Sequence, residues 1–196
     1  MSDKETINVY DAQAAKYAKL VTHDAPDQDL QAFIDALPSG GYALDLGCGP
    51  GNSAAMMQAA GLRVDATDAS IEMVRMARDT FNVEARQATF EEIDGTDLYD
   101  GIWANFSLLH AEKSDMPRHL KALRQALKPG GVFHIGTKLG ENSARDTIGR
   151  FYSYYSEDEL TDLLMKAGFR PRSIRKGAEK GLDGKLADFI IILSDG

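Results

Sequence analysis

Short apolar segments of strand length alternate with helix-period segments along most of this 196-residue chain. Residues 42–46, 62–67, 83–88 and 102–104 have the length and composition of strands. Helical patterns cover residues 52–60, 70–79 and 115–127 between or after them. Strands that alternate with helices predict an α/β fold, in which helices cover both faces of a mostly parallel sheet.

The two ends of the chain depart from this alternation. Helical patterns at residues 5–21 and 26–37 precede the first strand and predict a helical N-terminal cover over residues 1–40. Near the other end, segments 169–174 and 186–193 flank a glycine-rich turn and predict an antiparallel hairpin. Ser156 and Glu159 predict the start of a further helix, which Gly168 would end. We expect one domain over residues 1–196, without internal repeats.

Two connecting segments are assigned to turns and loops. Residues 128–131, Lys-Pro-Gly-Gly, are expected to form a turn between a helix and a strand at 132–136. Residues 140–150 are polar and contain glycine, which predicts a mobile loop over the functional site.

Composition and charge narrow the classes of protein. Hydrophobic residues make up 43% and charged residues 27%, and the formal net charge is −8. Such an acidic balance disfavours a nucleic-acid partner, and we find no apolar run of membrane-spanning length. The single cysteine excludes an internal disulfide. The polar N-terminus is unlike a signal peptide, so we expect a cytoplasmic protein without membrane partners, either a monomer or a homodimer.

The most informative stretch is residues 41–51, Gly-Tyr-Ala-Leu-Asp-Leu-Gly-Cys-Gly-Pro-Gly. A strand that ends in alternating glycines and leads into a helix is the opening of a nucleotide-binding βαβ unit. Asp68 ends the next strand, where such folds bind ribose hydroxyls, although an Asp there can also cap the following helix. A dinucleotide-binding turn would place its third glycine at position 52, which is Asn52.

The spacing of Gly47, Gly49 and Gly51 after Asp45 resembles motif I of the class I S-adenosylmethionine (SAM) methyltransferases. The Lys-Pro-Gly-Gly segment and the order of elements extend this resemblance from about Tyr10 to the end of the chain. It implies a Rossmann-like, doubly wound, mostly parallel seven-stranded sheet with a C-terminal antiparallel hairpin. The later segments Phe90-Glu-Glu-Ile and Ser-Leu-Leu-His are similar to those of bacterial methyltransferases that act on small molecules. The implied activity is transfer of a methyl group from SAM to a small-molecule acceptor, with S-adenosylhomocysteine as the product.

The resemblance also implies which residues contact the cofactor. In the family, a helix before motif I covers the cofactor, an acid binds the ribose, and a Met packs on the adenine. An acid that often follows the third strand is replaced here by Thr89 and Phe90. The implied cofactor contacts are Tyr17, Asp45, Gly47, Cys48, Gly49, Asp68, Ala69, Met73, Thr89, Phe90, Asn105 and Phe106. For Met73 and Tyr17, packing in the core is the alternative.

Catalytic and acceptor-binding residues are less constrained. His110 is the candidate base if the acceptor is a hydroxyl or an amine, and a structural histidine bonded to backbone is the alternative. Lys138, Arg145 and Arg150 are candidates to bind an anionic group, with Tyr152, Tyr154 and Tyr155 as walls. We predict no metal site. A non-catalytic SAM-binding regulator, or an NAD(P)-dependent oxidoreductase, remains an alternative function.

Overall fold

The computed structural model describes residues 3–196, and the strands within them match the predicted alternation. They are β1 (Tyr42–Leu46), β2 (Arg63–Asp68), β3 (Ala85–Gln87), β4 (Tyr99–Asn105), β5 (Leu127–Lys138), β6 (Ser143–Arg145), β7 (Phe151–Ser153), β8 (Arg170–Lys180) and β9 (Leu186–Asp195). In this part of the chain, seven strands form one sheet in the order β3-β2-β1-β4-β5-β9-β8. Strands β1 to β5 are parallel, and β9 is antiparallel to β5 and β8. The predicted Rossmann-like sheet with its C-terminal hairpin is confirmed.

Helices cover both faces of the sheet. They are α1 (Lys4–Val21), α2 (Gln28–Asp35), α3 (Asn52–Ala59), α4 (Ile71–Phe81), α5 (Met116–Ala126) and α6 (Glu157–Ala167). Leu120 of α5 and Leu164 of α6 are buried in one core cluster with β1, β4, β5 and β9. Phe33 of α2 and Met57 of α3 are buried in a second cluster around Trp103. Within residues 3–196, every helix is too short or too polar to cross a bilayer.

Local capping explains where several helices begin and end. The Ser156 hydroxyl accepts a hydrogen bond from the Glu159 amide at 3.1 Å, and Gly168 ends α6 with φ of +97°, as predicted. The Glu159 carboxylate binds Lys113 instead of completing a capping box. Helix α2 begins after Pro26 because the Asp27 carboxylate accepts from the amides of its first turn.

Two connections that the sequence analysis assigned to turns and loops contain strand structure. The Lys-Pro-Gly-Gly segment is a bulge within β5, since Leu127 is paired with Tyr99 and Val132 with Gly101. Strands β6 and β7 are paired in an antiparallel hairpin that occupies much of the expected loop. Asp146 shapes its turn, because one carboxylate oxygen accepts from the amides of Ile148 and Arg150. Because this segment is polar, its composition did not indicate strands.

Helix α1 spans the sheet end where β1, β2 and β4 terminate. The Ser70 hydroxyl at the start of α4 donates to Asp11 of α1 at 2.5 Å. At the other side, the Thr6 hydroxyl accepts from the Phe151 amide of β7 at 2.8 Å, and Arg145 forms an ion pair with Asp3. Helix α1, the first of the predicted N-terminal helices, thus connects α4 to the β6–β7 hairpin.

Candidate active site

The loop after β1 needs glycine for packing as well as for ligand access. Gly47 has φ of +75°, and a Cβ on it would lie 2.4 Å from Cβ of Ser107. Gly51 has φ of +91°, and its Cβ would lie 2.7 Å from Cβ of Ala77 in α4. Two of the three glycines therefore permit close approach of protein segments, and Gly49 is left to face a ligand.

Asp68 binds the glycine loop and does not cap α4. Its two carboxylate oxygens accept from the amides of Gly49 and Ser70, each at 2.8 Å. The cap of α4 is the Ser70 hydroxyl, which accepts from the Met73 amide. Burial raises the pKa of Asp68 to about 6 despite these hydrogen bonds. Its remaining lone pairs are available to hydroxyl donors on a ligand.

Asp45 is a buried carboxylate at the end of β1. Its Oδ2 has no hydrogen-bond partner among residues 3–196. Burial and the Asp68 carboxylate raise its pKa to about 8. Because an unpartnered buried carboxylate is costly, a cationic group of a ligand would complete this site.

The first of two chambers lies over the carboxyl ends of β1 and β2. Its walls include the glycine loop, the ribose-binding candidate and the start of α4: Leu46, Gly47, Gly49, Thr67, Asp68, Ala69, Ser70 and Met73. Its other residues come from α1 and from the segments after β3 and β4: Asp3, Thr6, Ile7, Tyr10, Tyr17, Ala88, Phe90, Asn105, Phe106, Ser107 and His110. Polar groups at one side and apolar Met73 and Phe90 at the other suit a nucleoside.

Three residues predicted to contact the cofactor, Asp45, Cys48 and Thr89, lie outside the lining of the first chamber. The Thr89 hydroxyl bonds Glu92 at 2.9 Å and caps the short 3-10 turn Phe90–Glu92, so this side chain is outside the first chamber. Asp45 and Cys48 border the second chamber instead. The structure thus does not bring Thr89 together with the other predicted cofactor contacts.

The second chamber lies on the other side of the glycine loop and is larger, about 350 Å³ against about 90 Å³. Lys138, at the end of β5, reaches it with Nζ 4.0 Å from the centre of the Tyr152 ring. Among residues 3–196, no carboxylate forms an ion pair with Lys138. Burial and the nearby Arg150 lower the Lys138 pKa. Tyr154 is absent from the linings of both chambers, whereas the ring of Tyr152 forms an aromatic wall of the second chamber.

Arg150, another predicted acceptor-binding residue, is only 2% exposed and already has a carboxylate partner. Its Nε donates to Asp146 at 2.9 Å, and its guanidinium faces the rings of Tyr10 and Tyr152. It borders the second chamber, but its charge is neutralised by Asp146. We therefore assign Arg150 a supporting position behind the aromatic wall.

The two chambers meet at residues that line both of them: Tyr10, Tyr17, Gly47, Gly49, Asn105 and Phe106. Tyr10 and Tyr17 are in edge contact, with ring centres 5.2 Å apart. Asn105 is oriented by His134, whose Nε2 lies 3.1 Å from Asn105 Oδ1 and whose ring stacks on Trp103. The junction is thus held by α1 on one side and by the sheet on the other.

His110 borders the first chamber, and both of its ring nitrogens have partners. Its Nδ1 lies 2.6 Å from the Phe151 carbonyl oxygen, and its Nε2 lies 2.9 Å from the Tyr10 hydroxyl. Burial and the cations Arg150 and Lys138 lower its pKa to about 4. The contact with the Phe151 carbonyl fits a structural histidine bonded to backbone. The contact with the Tyr10 hydroxyl links the imidazole to a group that lines both chambers.

Residues on both sides of the junction, Asp68 in the first chamber and Asp45 in the second, fit the predicted cofactor SAM. Asp68 has acceptors for ribose hydroxyls, and the unpartnered oxygen of Asp45 suits an amino group. Asn52, which stands where a dinucleotide turn has glycine, exchanges two hydrogen bonds of 3.2 Å with the His23 backbone. The helix start that would bind a pyrophosphate is therefore occupied by the α1–α2 connection.

Sequence reasoning missed several residues that shape the site. Tyr10 fits the apolar face of a helix, Thr6 belongs to no pattern, and Asp146 lies in a segment assigned to a loop. Their contacts join positions about 100 residues or more apart, except for the Asp146–Arg150 pair. A signal that could have identified Asp146 is its spacing of four from Arg150 beside Gly149.

Comparison with known proteins agrees with this geometry. An O-methyltransferase (cnsE) of Penicillium expansum is 31% identical over 149 residues, which are 67% of this chain and 52% of that protein. Trans-aconitate 2-methyltransferase of Azoarcus is 37% identical over 134 residues, 64% of this chain and 49% of that protein. The chain thus spans about half the length of these relatives.

Solved structures share the fold. The 1,6-didemethyltoxoflavin-N1-methyltransferase of Burkholderia thailandensis, solved with 1,6-didemethyltoxoflavin and S-adenosylhomocysteine, has a TM-score of 0.77 at 22% identity. The match covers 97% of this chain and 87% of that one. The family model described as "Methyltransferase domain" matches residues 16–174. With this match over most of its length, the chain belongs to the methyltransferase-domain family.

Proposed function

We propose that the protein transfers a methyl group from SAM, whose nucleoside lies in the first chamber and whose amino group reaches Asp45 across the junction, to a small-molecule acceptor in the second chamber. The observation that carries this proposal is the junction where Gly47, Gly49, Asn105 and Phe106 line both chambers. The methyl group and the acceptor can meet there, with the nucleoside of SAM in the first chamber and the rest of the acceptor in the second. Family membership supports the same reaction class.

When bound, SAM supplies a methyl group on a cationic sulfur. The protein then has to align the acceptor and exclude water. Tyr10 and Tyr17 cover the junction from α1, and Asn105 is fixed by its bond to His134. Asp68 and Asp45 are the proposed ribose and amino-group ligands. The remaining proposed cofactor contacts are Gly47, Gly49, Ala69, Met73, Phe90, Asn105 and Phe106.

We further propose that the acceptor has an anionic group that binds Lys138. This ammonium is half-buried, lies over the Tyr152 ring and lacks an ion-pair partner within residues 3–196. An anion would offset the cost of burying the charge. The relative from Azoarcus is named for trans-aconitate, an organic acid anion, which supports an acceptor of this kind.

Lys138→Gln tests the anion site. Loss of a charged hydrogen bond should raise KM for an anionic acceptor roughly tenfold or more and leave the Kd of S-adenosylhomocysteine unchanged. Initial rates with labelled SAM and the acceptor found by screening organic acids give KM. Lys121→Gln, on the exposed side of α5, is the matched control. Equal KM in both variants would exclude Lys138 from acceptor binding.

Calorimetric titration with S-adenosylhomocysteine, NAD and NADP in parallel tests the reaction class. We expect binding of S-adenosylhomocysteine alone. Binding of either dinucleotide in its place would contradict the proposal and favour an oxidoreductase. If S-adenosylhomocysteine binds but no small acid, hydroxyl or amine is methylated by labelled SAM, a SAM-binding regulator becomes the better description.

A further inference from the structure

Tyr10 separates His110 from the second chamber. The Tyr10 ring lines both chambers, whereas His110 belongs to the lining of the first. An acceptor in the second chamber therefore meets the phenol of Tyr10 before it can reach the imidazole. This arrangement changes the role that His110 can have, because a direct base must lie within hydrogen-bond reach of the proton it removes.

The partners of the imidazole fix the direction of its hydrogen bonds. The Phe151 carbonyl can only accept, so His110 Nδ1 is the nitrogen that donates to it at 2.6 Å. Because neutral imidazole has one N–H, Nε2 is then an acceptor and the Tyr10 hydroxyl donates to it at 2.9 Å. Arg150 Nη1 donates to the Tyr10 oxygen at 3.0 Å. The phenol proton thus points at a basic nitrogen while a cation faces its oxygen.

We propose that Tyr10 and His110 form a proton relay that deprotonates a hydroxyl or amine acceptor during methyl transfer. The proposal rests on the proposed function. The acceptor oxygen or nitrogen forms a bond to the methyl carbon, and the sulfur keeps the electron pair of the bond that breaks. The acceptor proton passes to the Tyr10 oxygen as the phenol proton passes to His110 Nε2. The imidazolium then releases that proton to solvent, which restores the neutral ring.

Charge balance explains how a weakly basic histidine can accept the proton in this relay. The charged and titratable groups that face His110 are Tyr10 from α1, Lys138 from β5, Asp146 and Arg150 from the hairpin turn, and Tyr152 from β7. Burial and the two cations disfavour a protonated imidazole while the cofactor sulfur is positive. Methyl transfer removes the sulfur charge as His110 gains one, so the number of positive charges at the site stays constant.

Nuclear magnetic resonance of the protein labelled at histidine Cε1 tests this charge exchange without an acceptor. The chain has four histidines, and His110→Gln identifies the resonance of interest. We would titrate pH in the complex with S-adenosylhomocysteine and in the complex with sinefungin, which has a cationic amine near the sulfur position. We expect the His110 pKa to be higher by about 1 to 2 in the complex with neutral S-adenosylhomocysteine. Equal pKa values in the two complexes would overturn the relay.

Tyr10→Phe tests the direction of the Tyr10–His110 bond. Loss of a hydroxyl that donates to neutral Nε2 should raise the His110 pKa in both complexes, because that bond favours the neutral ring. Tyr42→Phe, at the opposite end of β1, is the matched control and should not change it. An unchanged His110 pKa in Tyr10→Phe would also overturn the relay. Failure of either ligand to bind would instead contradict the proposed function, so the two failures are distinguishable.

Discussion

At the scale of single residues, the site depends on two acids whose ionised forms are disfavoured by desolvation, the buried Asp45 and the half-buried Asp68. Burial comes first among the causes that raise the pKa of both Asp45 and Asp68. The pKa of Asp45 rises from 3.8 to about 8, so its ionisation lowers the stability of the ligand-free protein. The loss in the free energy of unfolding is absent below about pH 4, grows from pH 4 to 8 and is complete above pH 8.

Asp45→Asn should remove this cost and weaken cofactor binding. We expect its melting temperature to exceed that of the unaltered protein at pH 8, and the two values to converge at pH 4. The Kd of S-adenosylhomocysteine at pH 8 should rise roughly tenfold or more, because a charged acceptor is lost. Circular dichroism melts and calorimetry give the two quantities. Asp79→Asn, an exposed site, is the control, and a stability gain of equal size at both pH values would contradict the argument.

Asp68→Ala should raise the Kd of S-adenosylhomocysteine roughly 10- to 100-fold, because hydrogen bonds between the ligand and a carboxylate are lost. Calorimetry measures the Kd. Asp65→Ala on the same strand is the matched control, because Asp65 bonds Tyr99 outside both chambers. An unchanged affinity in Asp68→Ala would exclude Asp68 from ribose binding.

The sequence predicts site residues best where the motif is local. Strand, glycine loop and Asp68 lie within about 25 residues, and their geometry follows from backbone rules. Tyr10 lies 100 residues from His110 along the chain, and nothing local to either position indicates their contact. Nor does anything local to Thr89 indicate that its hydroxyl bonds Glu92 and lies outside the first chamber.

At the scale of elements, the β6–β7 hairpin is the support for α1. Arg145 forms ion pairs with Asp3 and Glu5, and the Phe151 amide donates to Thr6. The hydrogen bond to Arg145 holds the pKa of Asp3 well below its usual range. The sequence predicted α1 because its apolar residues recur at helical spacing, but three-residue strands are too short for a periodic signal.

Thr6→Val should loosen this support while keeping the shape of the side chain. Thr6 is 3% exposed, so the Phe151 amide would lose its acceptor in a buried site, at a cost of about 1–3 kcal/mol. We expect a melting temperature lower by roughly 2–10 °C and faster hydrogen exchange at Phe151. Thr147→Val, exposed in the hairpin turn, is the control. Unchanged exchange at Phe151 would show that the hairpin does not depend on α1.

At the scale of the whole molecule, a ligand in the first chamber contacts α1, the glycine loop and the ends of β2 and β4 together. S-adenosylhomocysteine at about 100 times its Kd should add about 2.7 kcal/mol to the free energy of unfolding. For a chain of 196 residues this corresponds to a rise of roughly 5–10 °C in melting temperature. A thermal melt with NAD at the same concentration is the control, and an equal rise with NAD would contradict the assignment of the first chamber.

The position of β9 between β5 and β8 has a consequence for biosynthesis. Strand β8 leaves the ribosome before β9 but has no neighbour in the sheet until β9 arrives. Until then β5 is also an open edge, and Phe189 and Ile191 of the second chamber are missing. The half of the sheet with the glycine loop can form on the nascent chain, whereas the acceptor side must wait for residue 195. A nascent chain stalled between β8 and β9 would therefore expose the open edge of β5 and an unpaired β8 to chaperones or to aggregation.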